Sequence, residues 1–434
     1  MSVKIPFSSA IALALLIASA PACGNAEQGS LDPQGDLAGP VDDGVGESRA
    51  TLPLPWLSAL NCPYGMFGCN KCVPNVPAAF NRASGSRSRR HRFYFDPNEF
   101  SENEDKPDAF TVLKDHIQSV TRIPGLGEEN FIALSRNARD KGDGAFYITT
   151  FPQISSHGDA WKWAFRRTTS NPTAKQYSYT RMPGANHAGG MQAVGPMLFV
   201  ASDCDEGNSC TAAVHIFDVR NPGLPNRISS IVLDGSQGEL DFPPGTDFPP
   251  GTFPPSPGPV SSRAAAVGAV RLKDGRMLVF IRGREYDRNG WFFVSDSVGI
   301  GPETHWTFVD HWTIDDLKTG NAGPFPSSRD PWFAWENINL ISDCNDGQIY
   351  AVAMGTLSNK SFLYRITSSD LGGKENLFFE YVTGRGLNTT GPATSTRYGG
   401  GVHVTPNGNL VSYVTDRRPE VEIEEFRYHG AHGD

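Results

Sequence analysis

Five times between residues 143 and 414 the chain places a glycine before an apolar run: Gly144-Ala-Phe-Tyr-Ile, Gly195-Pro-Met-Leu-Phe-Val, Gly275-Arg-Met-Leu-Val-Phe, Gly347-Gln-Ile-Tyr-Ala-Val and Gly408-Asn-Leu-Val-Ser-Tyr. Asp143, Asp274, Asp346 and Asn407 precede four of these glycines, the combination expected where two strands meet at a φ > 0 turn. The glycines lie 51, 80, 72 and 61 residues apart. A strand–turn–strand unit recurring at such intervals without helical periodicity specifies an all-β repeat architecture, a β-propeller more than a sandwich.

The clearest copy spans Asn186–Asp203 and Val214–Leu233, four short apolar runs each stopped by Gly, Pro, Asn or Asp. The 80-residue interval holds an insertion, Asp241-Phe-Pro-Pro-Gly-Thr repeated at Asp247 and trailing into Phe253-Pro-Pro, whose prolines demand an extended, exposed loop. Five units fill residues 93–430, closed by pairing Phe93-Tyr-Phe95 with the strand Glu422–Tyr428. Six or seven smaller blades are the alternative, because Phe110–Ser135 and Trp306–Trp312 could add strands. Trp161-Lys-Trp163 alternates as a half-buried strand does.

Within that copy, His215-Ile-Phe-Asp-Val-Arg-Asn-Pro-Gly-Leu-Pro-Asn-Arg-Ile resembles the repeat of bacterial secreted β-propeller proteins with LVIVD-type repeats. The resemblance covers about one-fifth of the repeat region. It implies the fold and no activity.

The first residues read as an export signal: Lys4, an apolar run from Ile11 to Ala18, then Ala20-Pro-Ala22 before Cys23. Seven cysteines are present, and lipidation of Cys23 would leave six, an even number suited to an oxidising compartment. Residues 1–22 are therefore expected to be a signal peptide, and 23–55 a lipidated cysteine with a flexible tether. Residues 56–92 form a cysteine-bearing segment ahead of the repeats. This predicts a bacterial cell envelope protein, lipid-anchored or secreted.

Cys62, Cys69, Cys72, Cys204, Cys210 and Cys344 read as disulfide partners. The expected scheme joins two of the first three, links the third to Cys344, and closes a small loop with Cys204 and Cys210. Zinc is disfavoured because Cys69-Asn-Lys-Cys72 has no second pair at matching spacing. A net charge of −9 argues against a nucleic-acid partner. The one basic run, Arg87–Arg92, reads as a solvated surface segment.

In a propeller the start of each innermost strand lines the channel mouth. Those starts bring forward His116, His187, Gln192, Arg263, Trp335, Glu336, Tyr398 and His403 as ligand-binding candidates. Imidazole, guanidinium and aromatic faces suit an anionic or sugar-like ligand. Close packing around a crowded axis is the competing explanation. No metal site is predicted at these histidines and no cofactor is required. Asp203-Cys-Asp205-Glu206-Gly-Asn208 offers alternating acids for calcium but lacks a closing glutamate.

Three functions follow from this reading. The first is a non-catalytic binding module for a small molecule, glycan or protein at the cell envelope. The second is a carbohydrate-active hydrolase using Glu336 and Asp115 as channel carboxylates. The third is a structural surface protein.

Overall fold

The computed structural model describes residues 57–61, 71–83, 88–95, 117–123, 130–137, 143–151, 161–165, 176–182, 184–203, 211–233, 264–283, 289–313, 317–318, 335–355, 359–371, 374–389, 394–405, 408–416 and 420–426. The chain divides into residues 1–49 and 50–434, and every described residue belongs to the second unit. The expected signal peptide, Cys23, the tether to residue 55, Cys62, Cys69, Cys204, Cys210 and the proline-rich insertion lie outside the described residues. Among those described, no helix is long and apolar enough to cross a membrane.

The fold is all-β. First come β1 (Cys72–Val73), the short helix α1 (Val76–Arg82) and β2 (Ser88–Phe95). Then follow β3 (Ile117–Ile123), β4 (Asn130–Arg136), β5 (Gly144–Phe151), β6 (Trp161–Phe165) and β7 (Gln176–Met182); all but β6 form one antiparallel meander. The second meander is β8 (His187–Val194), β9 (Met197–Asp203), β10 (Ala212–Asp218) and β11 (Asn226–Leu233). The third is β12 (Ala266–Arg271), β13 (Met277–Arg282), β14 (Asn289–Ser295) and β15 (Trp306–Thr313).

After β16 (Leu317–Lys318), the fourth meander is β17 (Trp335–Asp343), β18 (Ile349–Gly355), β19 (Lys360–Leu371) and β20 (Lys374–Gly386). The last is β21 (Thr394–Val404), β22 (Leu410–Asp416) and β23 (Glu420–Phe426), and its fourth strand is β2 from the other end of the chain. A parallel contact, Gly400 opposite Ser119, joins the last meander to the first.

Four of the repeated glycines turn as expected. Gly195, Gly275, Gly347 and Gly408 have φ of 56°, 92°, 73° and 72° between the first and second strands of their meanders. Gly144 differs. It opens β5, a third strand, and the equivalent first turn is residues 124–129, outside the described residues. A Cβ at Gly144 would stand 2.6 Å from the Ala188 amide nitrogen, so close approach rather than a turn requires this glycine. The short 51-residue interval thus measured unlike positions. First strands start at residues 117, 187, 266, 335 and 394, spacings of 70, 79, 69 and 59.

Most second strands are buried on both faces, which is why they read as unbroken apolar runs. In β13, Leu278 and Phe280 pack toward the fourth meander, joining Phe292, Trp312, Trp335, Tyr364 and Phe379. The alternate residues Met277, Val279 and Ile281 pack toward the second, joining Phe199, Val214, Ile216 and Phe293. Each such large side chain contributes roughly 1.5–3 kcal/mol on burial.

The cysteine-bearing segment is sewn onto the strand ends. Ala59 bridges Leu272 and donates its amide to Gly347 O at 2.9 Å, and Leu60 N donates to Arg271 O at 2.8 Å. β1 lies parallel to the end of β17, with Cys72 opposite Ser342, and Cys72 is disulfide-bonded to Cys344. Asp343 accepts from Val76 N at 3.0 Å, fastening the start of α1.

The terminal strands pair antiparallel from Ser88 opposite Phe426 to Tyr94 opposite Glu420, with Phe93 opposite Val421. Residues 88–92 of the basic run Arg87–Arg92 are strand, between β23 and β6. Trp161–Phe165 is likewise a strand, parallel to β2.

Candidate functional site

Each meander begins on a strand with an antiparallel neighbour on one side only, leaving a second row of backbone N–H and C=O groups to satisfy. Side chains on neighbouring first strands supply the partners. Gln192 Oε1 accepts from Ala269 N and Leu340 N, both at 2.8 Å, while its Nε2 donates to Leu340 O at 2.6 Å. One glutamine thereby ties β8 to β12 and β17.

Asn339 Nδ2 donates to Met191 O at 3.0 Å, and its Oδ1 accepts from Val402 N at 2.9 Å. Ser119 Oγ donates to Gly400 O at 3.1 Å and accepts from Met191 N at 3.0 Å; Asn337 Nδ2 reaches both Ser119 Oγ and Gly400 O. Close approach elsewhere is permitted by glycine. A Cβ on Gly401 would lie 1.9 Å from Val120 O, and one on Gly189 would lie 2.2 Å from Ala265 O. The first strands are thus locked together by buried amides and bare backbone.

This arrangement corrects the expected ring of ligand-binding side chains. Gln192 is buried and engaged in the lock, mid-way along β8. His403 lies toward the far end of β21, opposite Val411, and is buried too. With a rise near 3.3 Å per residue, Gln192 stands roughly 15 Å along the strand from His187, so the two cannot share one rim.

Trp335 is 1% exposed, stacked on Trp312 with centroids 5.5 Å apart and beside Tyr364 at 5.1 Å. The expected stacking platform is therefore a core residue between the third and fourth meanders. Its neighbour Glu336 is only half-buried and sits at the register shift between Trp335 and Asn337. Tyr398 falls in the irregular stretch of β21 between Ser395 and Gly400. His116, Arg263 and Asp115 lie outside the described residues, so the separation of the proposed Glu336–Asp115 pair is not defined.

At the starting end of the first strands, two buried polar groups stand out. His187 Nδ1 lies 2.7 Å from Asp203 Oδ1, and both side chains are nearly enclosed. Arg282, fully buried at the end of β13, sets its guanidinium 5.8 Å from the centre of the Trp335 ring. The rest of the acidic loop that Asp203 opens, weighed above for calcium, lies outside the described residues. Among the described residues no cluster of three His, Cys, Asp or Glu could hold a metal.

Away from this end, His215 is held neutral: burial, and secondarily Arg227, lowers its pKa to about 4, and its Nδ1 lies 2.9 Å from Ser230 Oγ. Tyr364 is pushed well above the usual phenol range, chiefly by burial.

The sequence reading missed Ser119, Asn337, Asn339 and Arg282. Asn337-Ile-Asn339 was legible as alternating polar residues in an otherwise apolar strand. Their partners, however, lie 63 to 218 residues away in the chain.

No protein-family profile matches the sequence, and no curated protein matches it. Among solved structures, one similar chain is the Trypanosoma rangeli sialidase in complex with 2,3-difluorosialic acid, a covalent intermediate. It shows 9% identity over 73% of this chain and 45% of the sialidase, with a TM-score of 0.36. Another is Zg3597, a family 117 glycoside hydrolase produced by the marine bacterium Zobellia galactanivorans, at 9% identity over 79% of this chain and 91% of that one, TM-score 0.35. This chain spans less than half the sialidase's length. Similarity at this level carries neither chemistry nor substrate across.

Proposed function

We propose that the protein is a five-bladed β-propeller, closed by the union of β2 with β23, that serves as a non-catalytic recognition module at the bacterial cell envelope. The observation that carries this reading is the amide lock of Gln192, Asn337 and Asn339. Because these side chains occupy the meeting place of the first strands and bond to their backbone, contact with a ligand falls to an end face rather than to a channel. The face where the first strands start is the favoured one, carrying Glu336, with His116 and Arg263 proposed as further contacts from their places in the sequence.

Residues 58–61, through which a lipid anchor at Cys23 would reach the repeats, are bonded to Arg271, Lys273, Asp343 and Gly347, at or just beyond the far ends of β12 and β17.

Mass spectrometry of the mature N-terminus tests the anchor: a diacylglyceryl cysteine at residue 23 is expected, and an unmodified Cys23 would remove it. On a printed array of bacterial envelope glycans, the double variant Arg263→Ala with Glu336→Ala should cut retention at least about tenfold while leaving the unfolding midpoint unchanged. Equal retention would sink the starting-face assignment. Turnover of the arrayed glycans by the wild-type protein would replace recognition with hydrolysis.

A further inference from the structure

The N-terminal strand and its partner carry opposite charge codes. β2 reads Ser88-Arg-Arg-His-Arg-Phe-Tyr-Phe95 and β23 reads Glu420-Val-Glu-Ile-Glu-Glu-Phe426. In the antiparallel register Arg89 stands opposite Glu425, Arg90 opposite Glu424 and Arg92 opposite Glu422. Directly opposed residues are the closest cross-strand neighbours, and opposite charges there stabilise the pair. Sliding β2 by one residue either way would leave a single Arg–Glu opposition and turn every residue to the other face.

The remaining neighbours were compared in the same way. On the far side of β2, the register sets Lys162 opposite Arg92 and Trp161 opposite His91, one like-charge opposition. On the far side of β23, β22 places Tyr413 beside Glu425 and Val414 beside Glu424, both neutral. Other outer strands offer a basic strand little. β7 and β11 contain no acid, β15 contains only Asp310, and β20 carries Glu375 and Glu380, whose five-residue spacing matches no two of the three arginines. The four glutamates of β23 make it the acid-rich choice among these edges, although β2 lies more than 300 residues away in the chain.

We propose that Arg89, Arg90 and Arg92 form an electrostatic key that selects the edge of β23 as the docking place of the N-terminal strand. The two ends of the chain are then joined by charge as well as by backbone hydrogen bonds. Their union weakens as ionic strength rises.

The test uses the full mature chain in three forms: Arg89→Glu with Arg90→Glu and Arg92→Glu; Glu422→Arg with Glu424→Arg and Glu425→Arg; and all six together. The readout is the rate of native-state cleavage by chymotrypsin at Phe93, Tyr94 or Phe95, within β2 itself, which follows the population of the opened strand. Each triple variant should be cleaved about tenfold faster or more, and the six-fold exchange should return to within about threefold of wild type. Wild-type cleavage should also quicken between 20 and 300 mM salt, on the order of a change in screening length from 20 to 6 Å.

An exchange no slower in cleavage than either triple variant, or salt-independent wild-type cleavage, would overturn the key. Should the triples fail to fold, the single pair decides. Arg90→Glu and Glu424→Arg should each accelerate cleavage, and their combination should reverse it; no reversal would refute the proposal.

Discussion

Replacing Gln192 by Leu removes the amide that ties three first strands together while keeping nearly the same volume. Three buried backbone groups lose their partner: Ala269 N–H, Leu340 N–H and Leu340 C=O. Each orphaned group costs about 1–3 kcal/mol, so the variant should lose ~3–9 kcal/mol, with water entering at the lower figure. Against a total stability of ~5–15 kcal/mol this is a large fraction. Urea unfolding followed by tryptophan fluorescence would read it as a lower midpoint at unchanged slope. Val232→Thr, on the exposed side of β11, is the control and should cost under about 0.5 kcal/mol. A Gln192→Leu loss below ~1 kcal/mol would refute the claim that side-chain amides satisfy the inner strand edges.

Two other perturbations probe separate parts of the fold. Changing both Cys72 and Cys344 to Ser should cost about 2–4 kcal/mol, because that link closes a chain separation of 272 residues; a midpoint that is unchanged, and equally unchanged when wild type is reduced, would contradict it. His215 supplies a pH effect of known sign: its folded pKa of about 4 lies below the ordinary 6.5, so the unfolded chain binds a proton that the folded chain refuses as pH falls from 6.5 to 4. Stability from this group is full above pH 6.5 and declines toward pH 4 by on the order of 3 kcal/mol. His215→Gln should flatten the profile in that window; a slope that persists would assign the titration elsewhere.

Much of the strand architecture was legible because it depends on neighbours in sequence. A glycine ahead of an apolar run, in most copies after Asp or Asn, is a local instruction, and four of the five such glycines adopt the expected positive φ. Gly144 carries the same local signature yet serves close packing against Ala188, a demand from another meander that its own neighbours do not encode. Cys344 was expected to pair with one of three cysteines. Choosing Cys72 required the parallel seating of β1 on β17.

The sequence by itself determined an all-β chain of repeated antiparallel units, since turn chemistry and two-residue alternation act over a few residues. Only the tertiary structure decided which polar side chains face one another where the first strands meet. Trp335 and Gln192 look alike as candidates in sequence, each being a large residue at or near the start of a first strand. Burial against the third meander makes one a core ring, and unsatisfied backbone on two distant strands makes the other a lock. The physical reason is that a free strand edge has no partner of its own, and what completes it depends on which remote strand folding brings alongside.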